Sequence, residues 1–494
     1  MAAPKEKNNN LAYNEVDLTK EAIKDKDLVY TEVELTEYEE TVRKKYIRKV
    51  DFRILPIIYL LYFASALDRG NISAAYVSDL LDYLKVSDIQ QANMTTLFTV
   101  FYIVFQAPAN MLLKNMRPSL WFGSIAIMWS IFAMLQAIAK TATILIIFRC
   151  GMGLFEAGLT PGIVAYMPYW YTKSEIGQRT ALFTSALFFS FIVGTPVASA
   201  IISHQIGKFA RYKALFLIEG GITFVVGLLL YILVQDYPDK AKFFTPEEKE
   251  LAVRRISASQ GLASQSKTSV KQTIAALADW KIYVYSIIFF ANNNLVVVAG
   301  YFGPSIFTSM GYNSTQSVNM GLLPGAAGFV GTIIAFFTVK KYPLFLQIIA
   351  NVVLSAVGTA MFGFGNSNVL RLSGLLISSI FNNTNFPLIV VWVSVNCGSV
   401  PKRMVSMAIL FTISGAAGIV TPYFFTRSYA PKYTSGFIFA TALMVLSVVL
   451  CLVMKIYFDR VNKHRLANPT DVSHMSTKEQ QDLNDNHPNF IYTC

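Results

Sequence analysis

Apolar runs long enough to cross a bilayer constrain this chain more than any other feature. A spanning helix needs about 20 mostly apolar residues. The sequence offers twelve such stretches: 54–78, 92–113, 119–139, 143–166, 180–203, 213–234, 282–307, 318–338, 344–364, 370–395, 404–425 and 435–457. Hydrophobic residues make up 54% of the chain and charged ones 15%, with a mean hydropathy of +0.44. A soluble chain of 494 residues needs more polar surface than this. The expected fold is an all-α integral membrane protein with twelve transmembrane helices.

The net charge of +12 is spread over loops and does not gather on one soluble face, which argues against nucleic acid as a partner. Arg43, Lys44, Lys45, Arg48, Lys49 and Arg53 precede the first run, and Lys114, Arg117, Lys173, Arg179, Lys340, Lys341, Lys402, Arg403, Lys455, Arg460, Lys463 and Arg465 occupy alternate short loops and the last flank. The intervening loops hold only Lys85, Lys140, Lys208, Arg211, Lys213, Arg371, Arg427 and Lys432. The positive-inside rule therefore puts both termini in the cytoplasm. Residues 1–53 lack the apolar segment of a signal peptide. Asn313, in the sequon "NST", falls in an outside loop and is a glycosylation candidate. Cys150, Cys397 and Cys451 lie in or beside spans and read as small core residues.

Residues 235–281 are charged and rich in Ser and Gln, and they divide the spans six and six. Within them "TPEEKELAVRRI" reads as a capped surface helix, with Thr245 as N-cap, Pro246 at the first helical position and Glu248 three residues after the cap. The expected organisation is a cytoplasmic tail (1–53), a six-helix half (54–234), a cytoplasmic linker (235–281), a second six-helix half (282–457) and a tail (458–494) that is polar beyond 466. Aligning Pro161 in span four with Pro387 in span ten sets Glu156 against Asn382, and the polar break Asp68–Asn71 loosely matches Asn292–Asn294. Two pseudo-symmetric halves with a polar cavity between them is a transporter plan.

Ionised groups at mid-bilayer cost at least ~2.5–3.5 kcal/mol each, so they face partners or a wet cavity. Asp68, Arg69, Arg149, Glu156 and Glu219 lie deep in spans. Asp68 and Arg69 are neighbours on one helix and point about 100° apart, so each needs a partner elsewhere. Arg69 and Glu156 both fall near the midplane, which predicts an ion pair between spans one and four with Arg149 and Asp68 close by. Glu219 lies nearer a span end and reads as a helix–helix hydrogen bond. Between Asp279 and Asp459 there is no acidic residue. The second half offers Asn292, Asn293, Asn382, Asn385 and Asn396 with Trp392 as candidate ligand contacts, and Tyr102 and Gln106 share a face of span two as candidate cavity-lining residues. Asp68 and Glu156 are the candidate proton-coupling residues. Arg69 and Arg149 are candidate carboxylate binders, because a guanidinium meets a carboxylate in bidentate geometry.

Nothing in the chain matches a metal-ligand cluster, a nucleophilic triad or a nucleotide-binding loop, so an enzyme is not expected and no cofactor is called for beyond a proton gradient. The glycines of "GMGLFEAGLTPG" lie inside a span and read as close helix packing with a bend at Pro161.

"LDRGNISAA", "RCGMGLFEAGLTPG" and "LFLIEGG" resemble the major facilitator superfamily, and its anion:cation symporter branch of yeast allantoate-permease-like transporters in particular. "RKVDFRILP", "PANMLLKNMRP", "WVSVNCGSVPKR" and the tail "DLNDNHPNF" extend the likeness. The resemblance implies import of a small organic carboxylate, such as nicotinate, allantoate or pantothenate, at the plasma membrane. It also implies that Asp68 and Glu156 match the family's proton sites and Arg69 and Arg149 its paired arginines. Two departures stand out. Asn110, Lys114 and Arg117 occupy the region where the superfamily carries an acidic gate motif, and "VKKYP" in the second half also lacks the acid. The sequence thus favours a monomeric, proton-coupled organic-anion importer in a lipid bilayer. An uncoupled facilitator or antiporter of the same fold, or a nutrient sensor, is the alternative.

Overall fold

A computed structural model of the protein describes residues 35–113, 116–204, 210–238, 241, 243–264, 277–339, 341–397, 400–468, 485, 487–488 and 490–493. Residues 1–34, Lys114, Lys208, Lys340 and most of the tail after 468 lie outside them. Twelve long helices follow one another. In the first half these are α1 (Glu37–Val77), α2 (Asp88–Leu113), α3 (Pro118–Leu135), α4 (Ala142–Glu156, resuming as Leu159–Tyr166), α5 (Lys173–Ser203) and α6 (Arg211–Leu233). In the second they are α7 (Trp280–Val297, continuing to Ser309), α8 (Leu322–Thr338), α9 (Leu344–Phe364), α10 (Asn368–Val395), α11 (Val400–Gly415) and α12 (Thr434–Ala467). Eleven are long and apolar enough to cross a membrane, and α2, at 26 residues, has the length to do so.

The heaviest packing repeats with an offset of six. Helix α1 lies on α5 and α6, α2 on α4, and α3 on α6; likewise α7 lies on α11 and α12, α8 on α10, and α9 on α12. Small residues set the closest approaches. A Cβ on Gly358 of α9 would stand 2.5 Å from the Ser378 nitrogen of α10, and one on Gly374 of α10 would stand 2.5 Å from the Phe362 nitrogen of α9. Only glycine lets the two backbones come this close.

Helix α1 begins well before its apolar run, because Thr36 and Glu39 form a reciprocal capping box. Its polar first turns pack on the linker helix (Pro246–Ser264), whose own cap is the expected one: Thr245 N donates to Glu248 Oε2 (3.0 Å) and Glu248 N to Thr245 Oγ1 (3.2 Å). Charges tie this end of the first half together. Arg179 of α5 holds Asp51 of α1 in two 2.8 Å bonds, Arg255 of the linker helix reaches Glu175 at 2.9 Å, and Lys49 meets Glu248 at 2.8 Å.

The hydrogen bonds that join the halves gather at the opposite end. Arg427 Nη1 meets Asp82 at 2.7 Å, the Arg427 and Ser428 amides reach Gln91 and Asp88, Tyr423 bonds Asn93 at 2.8 Å, and Ser199 bonds the Thr315 carbonyl at 3.1 Å. Tight packing of α5 on α8 runs from there toward the middle, where Cβ atoms on Gly321 and Gly325 would meet Thr195 and Phe191. The halves are therefore closed against each other away from the linker.

The C-terminal segment departs from the plain polar tail expected of it. Helix α12 continues to Ala467, and residues 485, 487–488 and 490–493 return to the linker end of the second half. Asp485 is fully buried between Lys281, at 2.8 Å, and Lys402. Tyr492 stacks on Phe458 of α12 with ring centroids 4.4 Å apart. Arg465 Nη2 donates to the Asp485 carbonyl at 2.9 Å.

Candidate functional site: a buried charge cluster in the first half

Two turns of α1 sort the buried polar groups onto two faces. Ser65 and Arg69 are four residues apart and share the face toward α4, whereas Asp68 and Asn71 turn away from it. On the first face Arg69 Nε donates to Glu156 Oε1 at 2.5 Å, and the Ser65 hydroxyl bonds the same oxygen. Glu156 is fully buried, while the Arg69 side chain keeps 24% of its exposure. Glu156 closes the first segment of α4. The helix breaks at Ala157–Gly158 because Pro161 has no N–H to return to the Ala157 carbonyl. Gly153, one turn earlier, lets α4 approach the Phe98 carbonyl of α2, where a Cβ would stand 2.5 Å away.

That approach brings Phe98 between the two arginines. The Arg149 guanidinium lies 4.8 Å from the Phe98 ring centre and that of Arg69 5.9 Å from it, with Arg69 also 4.3 Å over Tyr102. Arg149 is wholly buried. Its Nε donates to the Met94 carbonyl at 3.1 Å, but Nη1 and Nη2 have no partner, nor does Arg69 Nη2. Buried N–H donors left open in this way are costly unless something accepts from them. Two guanidinium edges flanking one ring, both with donors to spare, have the chemistry to hold an anion.

Asp68 lies apart from this pair. Its Oδ2 accepts the Trp129 indole N–H of α3 at 3.0 Å, and it stands near Thr223 and Glu219 of α6. The sequence places Asp68 close to the Arg69–Glu156 pair; in the structure it turns toward α3 and α6, with Glu156 and Arg149 of α4 still within electrostatic reach.

The second-half candidates divide sharply. The Asn293 amide braces α7 to the Ser414 carbonyl of α11 at 2.8 Å. Asn385 is spent between α9 and α10, accepting from Asn351 and donating to the Ile348 carbonyl, both at 3.2 Å. Trp392 and Asn396 lie near the linker end, where Trp392 Nε1 and Asn396 Nδ2 both donate to the Thr493 carbonyl and Asn396 Oδ1 accepts the Thr493 amide. None of these four joins the charge cluster. Asn292 bonds back to its own helix and keeps a free Oδ1. Asn382, also with a free Oδ1, lines a cleft of about 620 Å³ with Phe188, Phe191, Ser378 and Thr359, and no residue of the charge cluster lines that cleft. Tyr102 bonds Thr160 at 3.1 Å beneath Arg69, and Gln106 is half-buried one turn beyond it. Asn313 is exposed and caps the short helix Ser314–Asn319 through its Oδ1.

The structure adds a residue that the sequence reading missed. Residues Val298–Phe302 of α7 form a π turn, and it turns Tyr301 toward Arg69, Arg149 and Glu156. Pro304 lacks the N–H that would bond the Gly300 carbonyl, which loosens the ladder where the wider turn forms. That proline was visible in the sequence and is the signal that could have found Tyr301. Ser65, four residues before Arg69, was legible by the same helical spacing.

Known proteins agree with this architecture. A "Putative tartrate transporter" of Agrobacterium vitis is 27% identical over 85% of this chain and 94% of its own length. "Major facilitator-type transporter hxnP" of Emericella nidulans is 26% identical over 79% of this chain and 80% of its own. Among solved structures, the inward-open xylose transporter XylE from E. coli superposes with a TM-score of 0.64 at 14% identity, covering 81% of this chain and 95% of that one. A bacterial homologue of the human lysosomal transporter Spinster gives 0.63 at 13% identity, covering 81% and 96%. The sequence profile of the Major Facilitator Superfamily matches residues 58–422. With two six-helix halves and buried arginines at the heart of the first, this chain belongs to the Major Facilitator Superfamily and is a multi-pass membrane transporter, not an enzyme.

Proposed function

We propose that the protein imports a small organic carboxylate together with protons across the plasma membrane, as a monomer with both termini in the cytoplasm. The observation that carries this reading is the Arg69–Glu156 ion pair beside the open donors of Arg149. Glu156 and a substrate carboxylate compete for the same guanidinium. While Glu156 is ionised it occupies Arg69 and weakens the anion site. A proton on Glu156 cancels that charge and frees Arg69, so that Arg69 and Arg149 clamp the anion while Tyr301 and Asn292 offer second-half contacts. Loss of the proton lets Glu156 recapture Arg69 and expel the anion. Proton and anion thus travel together because each makes room for the other.

With the basic loops facing the cytoplasm, the bonded end around Asp82 and Arg427 is the outer one, and the arrangement described here is the inward-facing state. An ionised Glu156 held by Arg69 is the condition expected there after release. The name of the Agrobacterium relatives supports a hydroxycarboxylate as substrate, and two guanidinium groups suit a dicarboxylate.

The test is uptake of labelled tartrate, nicotinate and allantoate by vesicles at external pH 5 and pH 7.5, with and without an uncoupler. Accumulation above equilibrium at pH 5 that the uncoupler collapses is expected. Glu156→Gln should still bind and exchange the anion but lose uphill accumulation. A variant that still concentrates substrate removes Glu156 from the coupling step.

A further inference from the structure

The compartment that holds Asp68 also holds Glu219, and the ion-pair mechanism uses neither oxygen of that glutamate. Glu219 is 3% exposed, and among the described residues neither carboxyl oxygen has a partner at good hydrogen-bond geometry, Asn71 standing beside it; Asp68, at 2%, leaves Oδ1 open as well. The two acids are close enough for their charges to bear on each other. Helix α6 cannot draw Glu219 away, because Gly220 presses it onto α3, with the Met134 nitrogen 3.2 Å from where a Cβ would stand.

The neighbours of the pair can be named element by element. From α3 comes the Trp129 indole, which serves Asp68. Helix α6 adds the Thr223 hydroxyl beside Asp68, and α1 adds Asn71 beside Glu219. From α4, Arg149 and Glu156 bear on Asp68. Glu219 therefore faces a like charge with no cation bonded to it, whereas Asp68 has an indole donor and a guanidinium within electrostatic reach.

We propose that Glu219 carries a resident proton, so that Asp68 and Glu219 form a carboxylate–carboxylic acid pair distinct from the Glu156 site. Two adjacent buried carboxylates do not both ionise, and the member with no cation in reach keeps the proton. Charge balance leads to the same place. The buried cluster holds two arginines against three acids, Asp68, Glu156 and Glu219. One proton on Glu219 makes the empty cluster neutral. A monoanion then arrives with a proton for Glu156, a dianion with a further proton for Asp68, and the loaded cluster is neutral again. This deepens the proton–anion reading and rests on it for its purpose, but the resident proton itself is observable without any transport.

The experiment is infrared spectroscopy of the full-length protein in lipid at neutral pH, following the carbonyl stretch of a protonated carboxylic acid and its downshift in deuterium oxide. The wild type should show such a band, Glu219→Gln should lose it, and Glu156→Gln should retain it. Asp68→Asn should retain it at a shifted frequency, since the proton stays on Glu219 while its neighbour changes. This second variant keeps the test open if Glu219→Gln does not fold. Absence of the band in the wild type, its survival in Glu219→Gln, or its loss in Asp68→Asn overturns the assignment. A band that behaves as expected in a protein whose uptake ignores the proton gradient would leave the resident proton standing and sink the coupling mechanism instead.

Discussion

Arg149 shows how much one buried residue is asked to do. It is wholly enclosed, spends one donor on the Met94 carbonyl and keeps two in reserve beside Phe98. Lysine in its place keeps the charge but loses the planar fork, and its ammonium cannot both bond Met94 and offer two parallel donors to a carboxylate. A charge-assisted hydrogen bond contributes about 1.5–3 kcal/mol. Arg149→Lys is therefore expected to weaken carboxylate binding about ten- to a hundredfold while leaving the fold intact, as isothermal titration on purified protein would show. An unchanged affinity would place the anion elsewhere. Asn385 carries the opposite lesson: it is just as buried, but both ends of its amide are already engaged between α9 and α10.

Among the elements, the returning C-terminal segment makes the most specific prediction. Burial alone would raise the Asp485 carboxyl, but the ammonium groups of Lys281 and Lys402 outweigh it and hold the group below its ordinary value of 3.8. The attachment is thus at full strength above the ordinary aspartate value and is lost as pH falls through the lower value of the bound state. Detachment on acidification should be confined to pH below about 4, well under the range in which transport is measured. Removing the carboxylate is a harsher change. Asp485→Ala leaves two buried lysines with Asp279 alone, at an expected cost of about 3–5 kcal/mol, read as a lower unfolding temperature in detergent. An unchanged unfolding temperature would mean that the segment contributes nothing to the second half.

The same segment marks the limit of what the sequence makes legible. Spans, linker and the linker-helix cap follow from local pattern: apolar length, a composition break, and Thr245 three residues before Glu248. The contact of Arg69 with Glu156 follows from equal depth on two helices. What periodicity cannot see is which helices meet. It therefore offers Trp392 and Asn396 as cavity residues, when residues almost a hundred positions later fold back to occupy them. Glu219, read as a helix–helix bond, does stand beside Asn71 of α1, but its nearness to Asp68 is again a matter of which helices meet.

For the whole molecule, the position of the bonds between halves has a mechanical meaning. Arg427 and Asp82 are exposed, so their ion pair contributes less than about 1 kcal/mol, and it is readily exchanged for water as the halves rock. A light latch suits a carrier that must open at this end in every cycle. A bifunctional maleimide joining Asp82→Cys to Arg427→Cys should arrest the protein in the form described here and abolish uptake, with each single substitution remaining active after the same treatment. Full uptake in the cross-linked double variant would show that this end does not open.

Under the proposed proton coupling, the absence of any acid between Asp279 and Asp459 assigns the energy input to one side of the machine. Asp279, Asp459 and Asp485 all sit at the linker end of the second half, so its bilayer-embedded body has no carboxylate to titrate. A hydrophobic carbodiimide, which attacks buried carboxyl groups from the lipid phase, should leave its adduct wholly on the fragment that precedes the linker once a protease has cut there. The second half then behaves as a passive lever, moved by a partner that alone responds to acidity.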